Sequence, residues 1–158
     1  PVERPRKIQN NRKNKKEDGI LVSQKVLLTW LIESEEIFHQ IEKYITPEDF
    51  SEGLFRKVAE LLYEQYEKHE ANPAQIMNHF TDEEEHREVA GLFHTKIKEL
   101  TTVKEQEKAL QETILRVKEH SIEEATKNLD PTDIQGLQRL MNEKRKMQDL
   151  RTLHISIN

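Results

Sequence analysis

The stretch "ILVSQKVLLTWLIE", residues 20–33, decides the fold class. Between Val26 and Ile32 every residue but Thr29 is apolar, and at about 100° per residue these side chains point in nearly every direction around a helix. A helix that is apolar on most sides is typical of the centre of a bundle rather than of its surface. The sequence therefore predicts an all-α fold built around this helix.

Amphipathic segments follow this helix along the chain. Apolar residues recur at helical spacing from Ile37 to Ile45, from Leu54 to Tyr66 and from Val89 to Ile97. Helix-start signals separate these segments: Ser51, Asn72 before Pro73, Thr81 with Glu84, and Thr102 with Glu105. We expect residues 20–113 to form a compact helical bundle of about six helices.

The longest segment changes its apolar phase part-way along. Val103, Leu110, Ile114 and Val117 keep one phase, whereas Ile122, Ala125 and Leu129 follow in another, next to the cap-like "SIEE" at Ser121. We interpret this slip as a helix that leaves the bundle, with or without a break near Ser121. It then turns across "NLDPTD" into a terminal helix, for which Asp130 and Pro131 predict the start. Residues 114–158 are therefore predicted to form a protruding C-terminal helical hairpin.

The terminal helix has two apolar faces, although a helix that only covers a core needs one. One face holds Ile134, Leu137 and Met141, which we expect to close the hairpin against Ile122, Ala125 and Leu129. The other holds Leu140, Met147 and Leu150, with Lys144, Arg145 and Arg151 as a polar rim. This second face could pack on the bundle, form a self-dimer or bind a partner protein. The sequence favours a partner, because a projecting hairpin has little bundle nearby to cover it.

Charge is distributed unevenly along the chain. The net charge is −5 overall and +6 in residues 1–16, which leaves −11 for residues 17–158. The N-terminal segment is basic, rich in Asn and poor in apolar residues, which predicts a flexible linker over residues 1–19. The acidic body argues against nucleic acid as the main partner. A nucleic-acid-binding module that uses the basic linker is the second possibility.

The sequence contains no signal for catalysis or for a metal site. It has no cysteine, and its four glycines are isolated, so neither a thiolate site nor a phosphate-binding loop is indicated. His79, Glu83 and His86 have ligand-like spacing, but a helix cap at Thr81 should separate the first from the other two. We expect no catalytic residue, no metal and no cofactor in this chain. The longest apolar stretch, Ile20 to Ile32, is too short to span a membrane, and no signal peptide precedes it.

The chain resembles a known family over about residues 20–158. "LVSQKVLLTWLIESEEIFHQIEKYI" and "PEDFSEGLFRKVAELLYEQYEKHEANPAQIMNHFTDEE", followed by a long helix that closes in a hairpin, are similar to the C-terminal helicase-binding domain of bacterial primase, DnaG. The resemblance implies a hairpin that docks on the N-terminal domains of the replicative helicase, DnaB, and a bundle that modulates the helicase. It also implies a cytoplasmic bacterial protein that is recruited to the replication fork.

The resemblance implies that the chemistry lies outside this sequence. Primer synthesis by a DNA-directed RNA polymerase, with its zinc and magnesium, belongs to other domains of a primase, and residues 1–19 would be the end of the linker from them. The helicase's own N-terminal domain is the competing interpretation, since Val22–Leu31 and Phe55–Arg56 fit either protein. A start at Pro1 in a linker-like segment and an end at "LHISIN" favour a primase fragment.

Overall fold

The computed structural model describes residues 3–94 and 102–157, with side chains for residues 18–93 and 102–157. All secondary structure in these ranges is helical, which confirms the all-α fold. The α-helices are α1 (Glu3–Glu33), α2 (Glu35–Ile41), α3 (Leu54–Glu67), α4 (Glu83–His94), α5 (Val103–Lys127) and α6 (Ile134–Thr152). Two 3₁₀ segments, the first 3₁₀ turn (Pro47–Asp49) and a second (Pro73–His79), connect them.

Helix α1 lies at the centre of the bundle. It contacts α2, α3, α4 and α5, the last most extensively. Leu27, Leu28 and Leu31 are fully buried, and Trp30 is nearly so. The prediction of a central helix packed on most sides is confirmed.

Helix α1 also extends through most of the segment for which the sequence predicted a flexible linker. Its backbone is helical from Glu3. Pro5 falls in the first turn, where its missing N–H costs nothing, and no glycine follows before Gly19. Arginine, lysine and glutamine are good helix formers, so a strongly charged segment can be helical without a core to cover.

Two helices begin later than the cap signals predicted. Ser51 does not cap α3; its backbone N–H donates to Gln24 Oε1 (3.0 Å) and its hydroxyl accepts from Gln24 Nε2 (2.8 Å). The chain then turns at Gly53, whose φ of 116° favours glycine, and α3 follows. Helix α6 is capped by Asp133, which accepts from the Gly136 N–H at 3.0 Å, whereas Asp130 forms a local turn with Thr132.

The remaining predicted helix starts agree with the structure only in part. Thr102 caps α5 by accepting from the Glu105 N–H at 3.2 Å, as predicted. At α4 the accepting side chain is that of Asp82, not Thr81. Asn72 precedes a 3₁₀ segment rather than an α-helix. Ile97, predicted to lie on the α4 face, is outside the described residues.

Helix α5 is unbroken past Ser121, so the change of apolar phase marks a change of neighbours rather than a break. The helix contacts both α1 and α6, and the predicted domain boundary at residues 113/114 falls inside it. Ser121 is not a cap, because its hydroxyl donates to Asp49 Oδ1 at 2.7 Å. Helix α5 therefore belongs to the bundle and to the hairpin at once.

The hairpin is not free of the bundle along its whole length. After α6, residues 153–157 (the C-terminal strap) run back over the bundle, and Ile155 is buried in the core. The Gln40 side chain exchanges two hydrogen bonds of 2.8 Å with the backbone of Ser156, and Glu107 Oε2 accepts from the Ile157 N–H at 2.8 Å. Within the hairpin, the most exposed part is residues 122–141, the hairpin tip, with Gly136 and Leu140 as the buried exceptions.

The central position of α1 generates a stability prediction. Leu27→Ala removes a fully buried side chain and should lower the free energy of unfolding by about 2–5 kcal/mol. Leu21→Ala, on the same helix but 43% exposed, is the matched control and should change it by about 0.5 kcal/mol or less. Urea unfolding followed by circular dichroism measures both variants. Equal effects would contradict the described packing of α1.

Candidate partner-binding surface

The two apolar faces of α6 lie opposite to the sequence prediction. Leu140, Met147 and Leu150, predicted to bind a partner, are buried, with exposed fractions of 8%, 7% and 1%. The residues predicted to close the hairpin are instead exposed: Ile134 (70%), Leu137 (38%) and Met141 (63%). The predicted packing of the hairpin was therefore wrong, whereas which residues bind a partner stays a prediction. Side chains buried within the chain itself are not accessible to a partner in this conformation.

The buried face of α6 was not recognised in the sequence because its residues are not all apolar. Gly136, Leu140, Glu143, Met147 and Leu150 are the inward positions of α6, spaced alternately four and three residues apart as in paired helices. Gly136 permits close approach, since a Cβ there would lie 2.6 Å from Asp133 Oδ2 and 2.8 Å from the Leu129 side chain in the loop that precedes α6. The four-three spacing was visible in the sequence, but a glycine and a glutamate within it hid the pattern.

The outward face of α6 is a candidate partner-binding surface. We call Ile134, Leu137 and Met141 the tip stripe; they occur at helical positions i, i+3 and i+7. Lys144 and Arg145 follow on the exposed side, and Arg151 is exposed further along, so the predicted rim residues are accessible. Among the residues with described side chains, none of these three cations forms an ion pair with an acidic group. The stripe thus combines exposed apolar anchors with uncompensated positive charge.

A buried ion cluster determines which way α6 faces. Lys118 on α5 is fully buried, and its ammonium group lies 3.1 and 3.2 Å from the two carboxylate oxygens of Asp49 in the first 3₁₀ turn. The same ammonium group pairs with Glu143 on α6. One lysine therefore joins the bundle to both helices of the hairpin.

Both carboxylates of the cluster have further hydrogen-bond partners. Asp49 also accepts from the Thr46 N–H (2.9 Å) and the Ser121 hydroxyl (2.7 Å). Glu143 also accepts from Lys146, at 3.1 Å. Because burying an unpaired charge costs several kcal/mol, the buried Lys118 has to keep a carboxylate partner inside the fold. Rotating α6 to bury the tip stripe instead would remove Glu143 from Lys118.

The cluster also changes the acidity of Glu143. Partial burial raises the pKa of its carboxyl group, but the hydrogen bonds and positive charges of Lys118 and Lys146 outweigh that effect, so the pKa lies below its ordinary value. The fold therefore favours the ionised carboxylate, which is the form that pairs with Lys118.

A cleft of about 810 Å³ lies beside the cluster, between the first 3₁₀ turn, the end of α5 and α6. Its walls carry several carboxylates, but no group of three His, Asp or Glu in the described ranges is arranged to hold a metal ion. Each buried side-chain N or O atom there has a hydrogen-bond partner. Tyr63 and Tyr66 are core residues, and their hydroxyls donate to backbone carbonyls at 2.8 and 2.5 Å.

No protein-family model matches the chain, and neither a curated protein nor a solved structure is significantly similar to it. The candidate surface therefore has to be assigned from its own chemistry. Within the described residues, none of the helices has the length and apolar character needed to cross a membrane.

The cluster generates a prediction about pH. Glu143→Gln should lower the free energy of unfolding at neutral pH by on the order of 1 kcal/mol, because a charge-assisted hydrogen bond to Lys118 is lost. The pKa of Glu143 is lower in the folded state than in the unfolded state. The carboxylate therefore stabilises the fold at pH values above its unfolded-state pKa, and this stabilisation is lost as pH falls through its folded-state pKa. The difference between parent and variant should therefore shrink in acid.

Chemical unfolding from neutral to acidic pH, followed by circular dichroism, measures this difference. Asp149→Asn is the control, since Asp149 is an exposed acid on the same helix that makes no ion pair among the described residues. It should follow the parent at every pH. A Glu143→Gln difference that stays constant into acid would contradict an ionised Glu143 in the fold.

Proposed function

We propose that this chain is a non-catalytic docking domain that binds the N-terminal domains of a replicative helicase, DnaB, as the helicase-binding domain of bacterial primase does. The observation that carries the proposal is the tip stripe: three large apolar side chains, exposed on a helix whose base is fixed to a bundle. The resemblance in residues 20–97 supplies the identity of the partner. In a cytoplasmic bacterial primase such a domain would recruit the primer-synthesising polymerase to the replication fork and modulate the helicase.

Exposed apolar side chains on the tip favour a protein partner over nucleic acid. Ile134 and Met141 are 70% and 63% exposed, and an amphipathic helix laid into an apolar groove is a common recognition mode. The thioether of Met141 is flexible and adapts to such a groove. Apolar anchors contribute little to binding a phosphate backbone, which recognises mainly cations.

The charges on α6 specify the partner surface further. Lys144, Arg145 and Arg151 are exposed, whereas Glu143 is turned inward towards Lys118. The outward face of α6 is thus basic, although the chain as a whole is acidic. A matching partner surface would present an apolar groove with acidic residues at its edge, which would speed association at low salt.

The proposal predicts that the tip stripe contains the binding anchors. Leu137→Ala and Met141→Ala should each weaken binding to a helicase N-terminal domain by roughly 1–2 kcal/mol, with unchanged helix content, because each removes an exposed apolar contact. Isothermal titration calorimetry measures the affinity and circular dichroism the fold. Val22→Ala, which shortens an apolar residue on α1 that is 58% exposed, is the matched control and should bind like the parent.

Variants of the buried face should behave differently. Met147→Ala should destabilise the fold, and any loss of binding should follow the fraction of unfolded protein. If Leu137→Ala and Met141→Ala bind like the parent while Val22→Ala binds more weakly, the dock is on the bundle. If the parent binds DNA but no helicase domain, the docking proposal is wrong and the basic segment at residues 4–16 becomes the candidate site.

A further inference from the structure

Three elements meet in the ion cluster, and one of them can leave without stranding a charge. Asp49 and Lys118 are 6% and 0% exposed and contact each other through both carboxylate oxygens. Glu143 has a side chain that is one-third exposed and keeps a second partner, Lys146, on its own helix. Separating Glu143 from Lys118 therefore leaves a complete Asp49–Lys118 pair inside and a Glu143–Lys146 pair at the surface.

Glu143 also marks a boundary along α6. On its C-terminal side Met147, Leu150 and the C-terminal strap are packed into the molecule, and the Gln111 amide donates to the carbonyls of Leu150 and Leu153 at 3.2 and 2.9 Å. On its N-terminal side, residues 134–142, only Gly136 and Leu140 are buried. One half of the helix is anchored by many contacts and the other half by few.

We propose that the Glu143–Lys118 contact is a latch that holds the distal half of α6, residues 134–142, beside Lys118 and the first 3₁₀ turn, and that breaking it lets this half of α6 swing away while α5 stays bound to Asp49. The distal half carries the tip stripe, so the latch sets the orientation of the proposed docking surface. That consequence rests on the proposed function, whereas the latch itself does not depend on any partner.

Charges across the cleft favour an open tip once the latch is broken. The bundle side of the cleft presents Glu48 and Glu52, and the hairpin side presents Glu124, Asp130 and Asp133. Arg56 and Arg139 also line the cleft, but Arg56 is 3.5 Å from Glu52 and Arg139 is 3.8 Å from Asp133, each on its own side. In this arrangement the main ionic link from α6 across to Asp49 runs through Lys118.

The absence of cysteine makes the latch directly measurable. Two spin labels at Lys57→Cys and Gln138→Cys, both exposed positions, report the distance from α3 to the distal half of α6. A second pair, Lys57→Cys with Gln148→Cys, reports the anchored half beyond the latch. Pulsed electron paramagnetic resonance gives the distance distribution for each pair in the parent, in Glu143→Gln and in the control Asp149→Asn.

We expect each label pair to give a single narrow distance distribution in the parent and in Asp149→Asn. In Glu143→Gln the 57/138 pair should gain a longer distance, in about a tenth of the molecules or more, while the 57/148 pair stays narrow. An unchanged 57/138 distribution in Glu143→Gln would overturn the latch. Broadening of both pairs would overturn it as well, since α6 would then detach as a whole instead of bending beside Glu143. Both outcomes are independent of helicase binding, which the calorimetry tests separately.

Discussion

One buried ammonium group, that of Lys118, links the helical bundle to helix α6. Lys118 projects from α5 between Asp49 of the bundle and Glu143 of α6, and each carboxylate has further hydrogen-bond partners. A buried charge is costly unless it is paired, and Asp49 supplies Lys118 with a partner inside the bundle. Glu143 brings α6 to the same ammonium group, and in this arrangement Leu140, Met147 and Leu150 are buried with it.

The rotation of α6 decides which residues the molecule offers to a partner. With Glu143 inside, Leu140, Met147 and Leu150 are inside too, and Ile134, Leu137 and Met141 face outward. The exposed apolar stripe is a geometric consequence of the salt bridge. The C-terminal strap reinforces the same rotation from the other end of the helix. The exposed stripe and the internal ion pair therefore belong to the same rotation of α6.

The parts of the fold that could be predicted from the sequence are those with uninterrupted apolar periodicity. The central helix at Leu27–Leu31 and the buried faces of α3 and α4 belong to this class. The orientation of α6 could not be predicted in the same way, because its inward positions include Gly136 and Glu143, which count as breaks in an apolar pattern. Only their partners, Leu129 and Lys118, explain them, and those contacts depend on tertiary structure. The cap-like pattern at Ser121 left open whether the long helix breaks there for the same reason, because the hydrogen bond from its hydroxyl to Asp49 depends on tertiary structure.

We propose that the outward face of α6 contacts a replicative helicase. Hydrogen–deuterium exchange of the intact chain, alone and with an excess of a helicase N-terminal domain, tests it most directly. If the outward face of α6 is the contact, amide exchange should slow on binding in peptides that cover residues 133–145, with little change in α1, α3 and the C-terminal strap. Binding that instead slowed exchange around Leu21 and Phe55, with residues 133–145 unchanged, would contradict it.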